Sequence, residues 1–196
     1  HYPLRRQRQM CIRDRQSPFD ALFKGQIDLV ISPDTVLPGH LDAVDLFNDE
    51  LVAVVPPGHA LASRAYVSGN DFLNDPFLTY SLVRQPGYEA DRIWTPENVL
   101  PPHEENIGSV EATCELVKAG FGISILSHWA IFPQFKSAKL IPIRATRGGL
   151  GITWRAITKS GASSGAPENI LAQSLAVWFH QHPPAGIMPQ ATRPSL

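Results

Sequence analysis

Residues able to do chemistry are present in this chain, but few stand in a pattern that chemistry requires. Gly161-Ala162-Ser163-Ser164-Gly165 matches the G-x-S-x-G of a serine-hydrolase nucleophile elbow and lies between an expected strand and an expected helix. Such an elbow needs its serine on a tight turn directly off the strand, and Lys159 and Ser160 intervene here. The acid and the histidine would have to be Glu168 and His180 or His182, all on one helix or just beyond it, which cannot curl back to complete a triad. The segment reads instead as a Gly/Ser connection. Gly120-Phe121-Gly122 lacks the third glycine of a dinucleotide fingerprint and closes a helix where that fingerprint opens one. Arg147-Gly148-Gly149-Leu150-Gly151 lacks the Gly-Lys-Ser/Thr of a phosphate loop. Both read as turns.

The histidines His1, His40, His59, His103, His128, His180 and His182 form no H-E-x-x-H and share no helical face with a carboxylate, so no metal site is expected. Cys11 and Cys114 lie far apart without a C-x-x-C, which excludes a disulfide framework and a structural zinc site; Cys114 reads as a small core residue. The neighbouring carboxylates Asp49-Glu50 and Glu104-Glu105 fall in expected polar loops and read as solvated surface. With no catalytic constellation left, the chain is expected not to be an enzyme and to need no cofactor.

A different set of positions suits binding. In open parallel sheets, small molecules bind outside the carboxyl ends of the strands, beside helix N-termini. Ser32, Pro33 and Asp34 follow one apolar run and Tyr80, Ser81 and Arg84 another; Ser109, Val110 and Glu111 open a helix, and Ser127 and His128 follow Leu126. Together they offer backbone N–H groups, hydroxyls, a guanidinium and a carboxylate. That inventory fits a small zwitterion or carboxylate, its anionic end at Ser109 and Arg84 and an ammonium at Asp34.

The elements that must position these groups follow from the apolar pattern. Continuous apolar runs bounded by turn residues predict strands over 27–32, 51–55, 77–80, 123–126, 140–143 and 152–158. Ser17-Pro18, the apolar Phe19, Leu22 and Phe23, and then Gly25 predict a short capped helix. Over 110–119 the signals agree: Ser109 as cap, Glu111 in the positive first turn, Lys118 in the negative last turn, Gly120 as left-handed stop, and Val110, Cys114 and Val117 on one face. A last helix over 167–180 shows Ile170, Leu171, Ser174, Leu175 and Trp178 at helical spacing, a stripe able to dock on a sheet. Strands alternating with helices predict an α/β fold with a mainly parallel sheet.

Composition agrees with a binding domain. The 196 residues are 43% apolar and 18% charged, which allows a buried core. The formal net charge is −1, without the basic surplus of a protein whose main partner is nucleic-acid phosphate. Five arginines (Arg5, Arg6, Arg8, Arg13, Arg15) crowd the first fifteen residues, so residues 1–16 read as a non-native or disordered basic arm. Residues 183–196, with Pro183, Pro184, Pro189 and Pro194, read as a disordered tail. No apolar run reaches the roughly 20 residues that span a bilayer, and no secretory stretch opens the chain; a cytoplasmic location is expected.

Three blocks, in order and spacing, carry a resemblance: Lys24-Gly25-Gln26-Ile27-Asp28-Leu29-Val30-Ile31, then Leu51-Val52-Ala53-Val54-Val55-Pro56-Pro57-Gly58-His59-Ala60-Leu61, then Val117-Lys118-Ala119-Gly120-Phe121-Gly122-Ile123-Ser124-Ile125-Leu126. They resemble the effector-binding domain of LysR-type transcriptional regulators over residues 17–182. Ser32-Pro33-Asp34, Leu78-Thr79-Tyr80 with Arg84, and Ser127-His128-Trp129 look most like the subgroup that controls methionine biosynthesis and senses homocysteine. The resemblance implies a two-lobed fold like that of periplasmic binding proteins, with mainly parallel sheets. Lobe I would be residues 17–52 plus 155–182 and lobe II residues 53–154, the chain crossing between them near 52–55 and 151–154. The effector would lie between the lobes against Ser32, Asp34, Tyr80, Arg84, Ser109, Val110, Ser127 and His128, and its binding would change the packing of a dimer or tetramer on DNA. Family members carry an N-terminal helix-turn-helix and open lobe I with a further strand and helix; nothing before Ser17 reads as either. The chain is therefore expected to be truncated, to reach DNA only through the missing domain, and to expose a sheet edge near 27–31. A two-lobed solute-binding protein of a transport system is the alternative, which a secretory signal in the upstream sequence would favour over a helix-turn-helix.

Overall fold

The computed structural model describes residues 18–34, 37, 39–81, 84, 86–137 and 139–184. The expected basic arm, the Ser17 cap and the tail beyond Pro184 lie outside them. Helix α1 (Pro18–Phe23) leads to strands β1 (Val30–Ser32), β2 (Leu41–Val55) and β3 (Phe77–Thr79). A π-helical turn (Ala90–Trp94) runs into α2 (Thr95–Glu97), then come β4 (Glu104–Asn106), α3 (Val110–Lys118), β5 (Ser124–Ser127) and α4 (His128–Lys136). Strands β6 (Ile141–Arg144) and β7 (Leu150–Lys159) and helix α5 (Pro167–Gln181) complete the order.

Two long strands, β2 and β7, carry the architecture. They pair antiparallel from Leu41↔Lys159 to Leu51↔Leu150, with a bulge between Asp45 and Phe47. β1 adds to β7, and β5 and β6 add to β2, every one antiparallel. Here the expectation of a mainly parallel sheet is corrected, while the α/β class stands. An apolar run reports burial on both faces of a strand but carries no information about its neighbour's direction. Parallel pairing is found between β3 and β4 and at the bridge Phe77↔Ile123, where the Ile123 amide donates to the Pro76 carbonyl at 2.9 Å. That approach is why position 122 is glycine: a Cβ there would lie 2.4 Å from the Pro76 oxygen. β2 begins ten residues before the apolar run that predicts it, because its first half is rich in Asp and Asn and its alternation is broken by the bulge.

Alternate residues of a strand face opposite sides, and β2 shows it. Leu51, Ala53 and Val55 join Phe72, Phe77, Ile93 and Trp94 in one core cluster, while Val52 and Val54 join Cys114, Val117, Leu126 and Ile131 in another. Each such fully buried aliphatic side chain contributes about 1.5–3 kcal/mol. At the other end of the sheet, Val30 and Ile157 pack on Phe19 and Leu22 of α1, and Ala156 packs on α5. β1 is the last strand of its sheet among the described residues, and Ile31 is 45% exposed, as an open edge near 27–31 requires.

Helix α3 forms as its caps dictate: Ser109 Oγ accepts from the Ala112 amide at 3.1 Å, and Gly120 takes φ +79°. Helix α5 departs from expectation. Its docked face is Ala172, Leu175, Ala176 and Phe179, whereas Ile170, Leu171 and Trp178 of the expected stripe are about half exposed. Both stripes have helical spacing; the small side chains of Ala172 and Ala176 allow the closer approach to Ala156 and Phe47.

Candidate functional site

Strands β1, β3 and β5 all end at the polar positions singled out above. Past β1, Ser32 Oγ donates to Asp34 Oδ2 at 2.7 Å and accepts from the Asp34 amide at 3.2 Å, which locks the turn. Past β3, the Tyr80 phenol is pushed up to about 12, chiefly by burial and then by the negative charges of Glu89 and Asp34. Asp34 and Tyr80, far apart in the chain, are thus electrostatic neighbours. Tyr80 and Val110 pack on the rim of the same core cluster, that of Cys114 and Val117.

The remaining expected positions differ in character. Arg84 is exposed, its Nη2 2.9 Å from Glu104 Oε2. Ser109 is occupied as the cap of α3, and its carbonyl also accepts from Thr113 Oγ1. Ser127 is buried: Oγ donates to Asp49 Oδ2 and accepts from the Ala130 amide, capping α4. The buried His128 ring lies 4.9 Å from that of Phe135 on its own helix. Ser32 is thus joined to Asp34, and Tyr80 and Val110 share the rim of one core cluster; Arg84 stands on an exposed edge, and Ser127 and His128 are engaged by α4 and its supports.

Three features escape the sequence reading. The first is Asp49. The reading of Asp49-Glu50 as solvated surface is overturned, since both are buried in β2, at 4% and 8% exposure. Asp49 accepts from the Glu50 and Trp129 amides, Ser127 Oγ and Trp154 Nε1, amid the rings of Phe47, Trp129 and Trp154. Extending the period of two back from Leu51 would have placed it on the inner face. Glu50 lies 3.5 Å from Arg144 Nε; burial raises its pKa, Arg144 lowers it and Asp49 raises it. Glu104-Glu105, by contrast, is exposed as expected, although it belongs to β4.

The second feature is the buried Tyr88, whose hydroxyl has no hydrogen-bond partner among the described residues. Its phenol is held well above the usual range by burial, then by Tyr80, Asp34, Glu89 and Asp49. The third is the opposite face of the β2/β7 crossing. Cross-strand pairs Asn48↔Thr153 and Asp45↔Arg155 form a polar surface there, with Asn48 and Asp45 exposed. Thr153 Oγ1 lies 2.9 Å from Asn48 Oδ1, Arg155 Nε donates to Asp45 Oδ1 at 2.8 Å, and Arg155 Nη1 reaches the Asp34 carbonyl at 3.4 Å.

The residues of the G-x-S-x-G reading stand apart. Ser163 is an exposed loop residue, and Glu168 and His180 stand on one helix about 18 Å apart along its axis. Among the described residues no group of His, Cys, Asp and Glu could hold a metal ion, and no helix is long and apolar enough to cross a membrane.

Comparison with known proteins gives the family and the fold. The family model described as LysR substrate binding domain matches residues 9–179. The chain is 24% identical over 144 residues to the HTH-type transcriptional regulator MetR of Escherichia coli strain K12, covering 74% of this chain and 45% of that protein. It is 26% identical over 100 residues to the transcriptional activator protein LysR of the same organism, covering 51% and 32%. The chain thus spans less than half the length of these curated relatives. Among solved structures, the regulatory domain of MetR, a LysR family regulator from N. meningitidis, superposes with a TM-score of 0.75 at 20% identity, covering 90% of this chain and 82% of that one. The effector binding domain of QuiR in complex with shikimate gives 0.69 at 17% identity, covering 85% and 78%. These likenesses speak for the fold, a periplasmic-binding-protein-like α/β arrangement.

Proposed function

The chain belongs to the LysR substrate-binding domain family, and on that footing we propose that it senses a small amino-acid-like metabolite, homocysteine being the foremost candidate, for a DNA-binding transcription regulator. The cleft would lie between lobe I, residues 17–52 and 155–182, and lobe II, residues 53–154. Ser32 and Asp34 would face Tyr80 and Val110 across it, with Arg84 and Ser109 at its edge. Ser127 and His128 would act from behind, by holding α4. Binding would change the angle between lobes, and with it the packing of a cytoplasmic dimer or tetramer on DNA.

The observation that carries this reading is the hydrogen-bonded pair Ser32 and Asp34 at the end of β1, within electrostatic reach of the largely buried Tyr80 phenol. A carboxylate beside a hydroxyl suits an ammonium, and the likeness to MetR adds weight to a sulfur amino acid. Titration calorimetry with L-homocysteine, L-methionine and L-cysteine under reducing conditions tests it. One of the three is expected to bind, about tenfold or more weaker in Asp34→Asn. Absence of heat with all three, together with an unmoved melting point, overturns it.

A further inference from the structure

Antiparallel strands commonly bury one face and leave the other to solvent, and the β2/β7 crossing does so. On one face the strands bury Phe47, Asp49 and Ile152, and on the other Gly151 is exposed and Thr153 and Arg155 only half-buried. Asp45 and Asn48 are open to solvent here, with Thr153 and Arg155 opposite them across the strand pair. Arg155 stands beside Ser32, its cross-strand neighbour in β1.

We propose that Arg155, with Thr153 and Asn48 beside it, holds the carboxylate of the bound molecule; this rests on the sensing role proposed above. Three observations lead there. Arg155 is held in place on two sides, by Asp45 through Nε and by the Asp34 carbonyl through Nη1, so its guanidinium is oriented before any guest arrives. A guanidinium has five donors, and among the described residues these two contacts leave others for a planar anion. The Arg155 side chain is also only 26% exposed, so the donors that Asp45 does not take are partly shielded from water. Arg84, the cation expected from the sequence, is the poorer anchor, 53% exposed and already paired with Glu104.

The same geometry names the class of guest. Arg155 Nη1 is 3.4 Å from the carbonyl of Asp34, whose carboxylate is the group suited to an ammonium. A guanidinium that donates to the backbone of the residue bearing the carboxylate puts the cationic and anionic groups on neighbouring residues, an arrangement suited to an α-amino acid, whose two charges are one carbon apart. It suits a dicarboxylate or a simple amine less well.

The test is a thermodynamic cycle on the chain, using L-homocysteine and its carboxylate-free counterpart 3-aminopropane-1-thiol as probes, under reducing conditions. Wild type is expected to bind the amino acid about 10- to 100-fold more tightly than the amine, the range of a charged hydrogen-bonded pair. Arg155→Met is expected to erase that preference by weakening the amino acid and leaving the amine nearly unchanged, with Arg155→Lys intermediate. Arg64→Met, on an exposed turn, reports the effect of losing a remote cation. If Arg155→Met fails to fold, the Lys variant decides: an undiminished preference there overturns the assignment. Retention of the full preference in Arg155→Met, or equal loss of both probes, overturns it as well while leaving the sensing role intact. Wild type that binds neither probe overturns both.

Discussion

Trp154 Nε1 donates to Asp49 Oδ2 at 3.0 Å, joining two residues 105 positions apart on the two strands that run the length of the sheet. The same carboxylate receives Ser127 Oγ and the Trp129 amide. One buried carboxylate thereby ties β2 to β7 and to the start of α4.

Removing that charge should be severe. Asp49→Ala leaves several buried donors without an acceptor, and a loss of about 3 kcal/mol or more is expected. Asp49→Asn keeps part of the set and should lose less. Urea unfolding followed by tryptophan emission measures both, and an Ala variant within about 0.5 kcal/mol of wild type would contradict the hub.

Tyr88→Phe should act in the other direction. Its buried hydroxyl has no partner among the described residues, so folding strips water from it without replacement. Deleting the oxygen is expected to stabilise the ligand-free protein by about 1 kcal/mol, seen as a higher urea midpoint at unchanged slope. A lower midpoint would mean that the hydroxyl is satisfied in solution.

Gly122→Ala places a Cβ 2.4 Å from the Pro76 carbonyl oxygen, against backbone that cannot swing away as a side chain can. A loss of about 2 kcal/mol or more is expected. Gly148→Ala, which meets nothing within 4 Å, is the matched control and should change stability by less than about 0.5 kcal/mol. Equal melting points for the two variants would refute the close β3/β5 approach.

Glu50 makes stability depend on pH. Burial raises its pKa above the ordinary 4.5, against the pull of Arg144 and with the push of Asp49. A carboxyl raised by folding favours the native state below its unfolded value, and that contribution fades as pH climbs through the folded value. Glu50→Gln does not titrate, so its melting point should gain on wild type between about pH 4 and pH 7. A difference that is flat, or that shrinks with rising pH, would show that the Arg144 pair outweighs burial.

The two apolar stripes of α5 can be told apart by substitution. Phe179→Ala opens a cavity against Phe47 and should cost about 3 kcal/mol, whereas Trp178→Gln touches a half-exposed ring and should cost under about 1 kcal/mol. Thermal melts of the pair decide between the stripes.

Much of this was legible beforehand where the cause is local. Ser109, Glu111, Lys118 and Gly120 announce α3 because capping and dipole effects act within one turn. The apolar runs over 51–55 and 123–126 announce central strands because burial on both faces leaves no polar position. Ser32, Asp34 and Tyr80 were identifiable as strand-end polar groups. Asp49 was not, since a carboxylate beside another carboxylate reads as surface until its donors are known, and three of its four come from Ser127, Trp129 and Trp154. Arg155 was missed for a related reason: within an apolar strand it reads as one solvated residue, and only the register Ser32↔Arg155 sets it beside Asp34.

By itself the sequence determined the apolar central strands and the helices α1, α3 and α5, where the best helix starts and stops, that Cys114 is core, and the three blocks that carry the family resemblance. Those are consequences of backbone propensity, capping and side-chain burial, which neighbouring residues decide among themselves. The tertiary structure alone decided that the long strands pair antiparallel, that α5 docks by its alanines, that Asp49 is buried and satisfied, and that Arg155 lies beside Asp34. Each depends on a partner remote in the chain: strand direction, choice between two apolar stripes, and compensation of a buried charge are settled only when distant surfaces meet and exclude water.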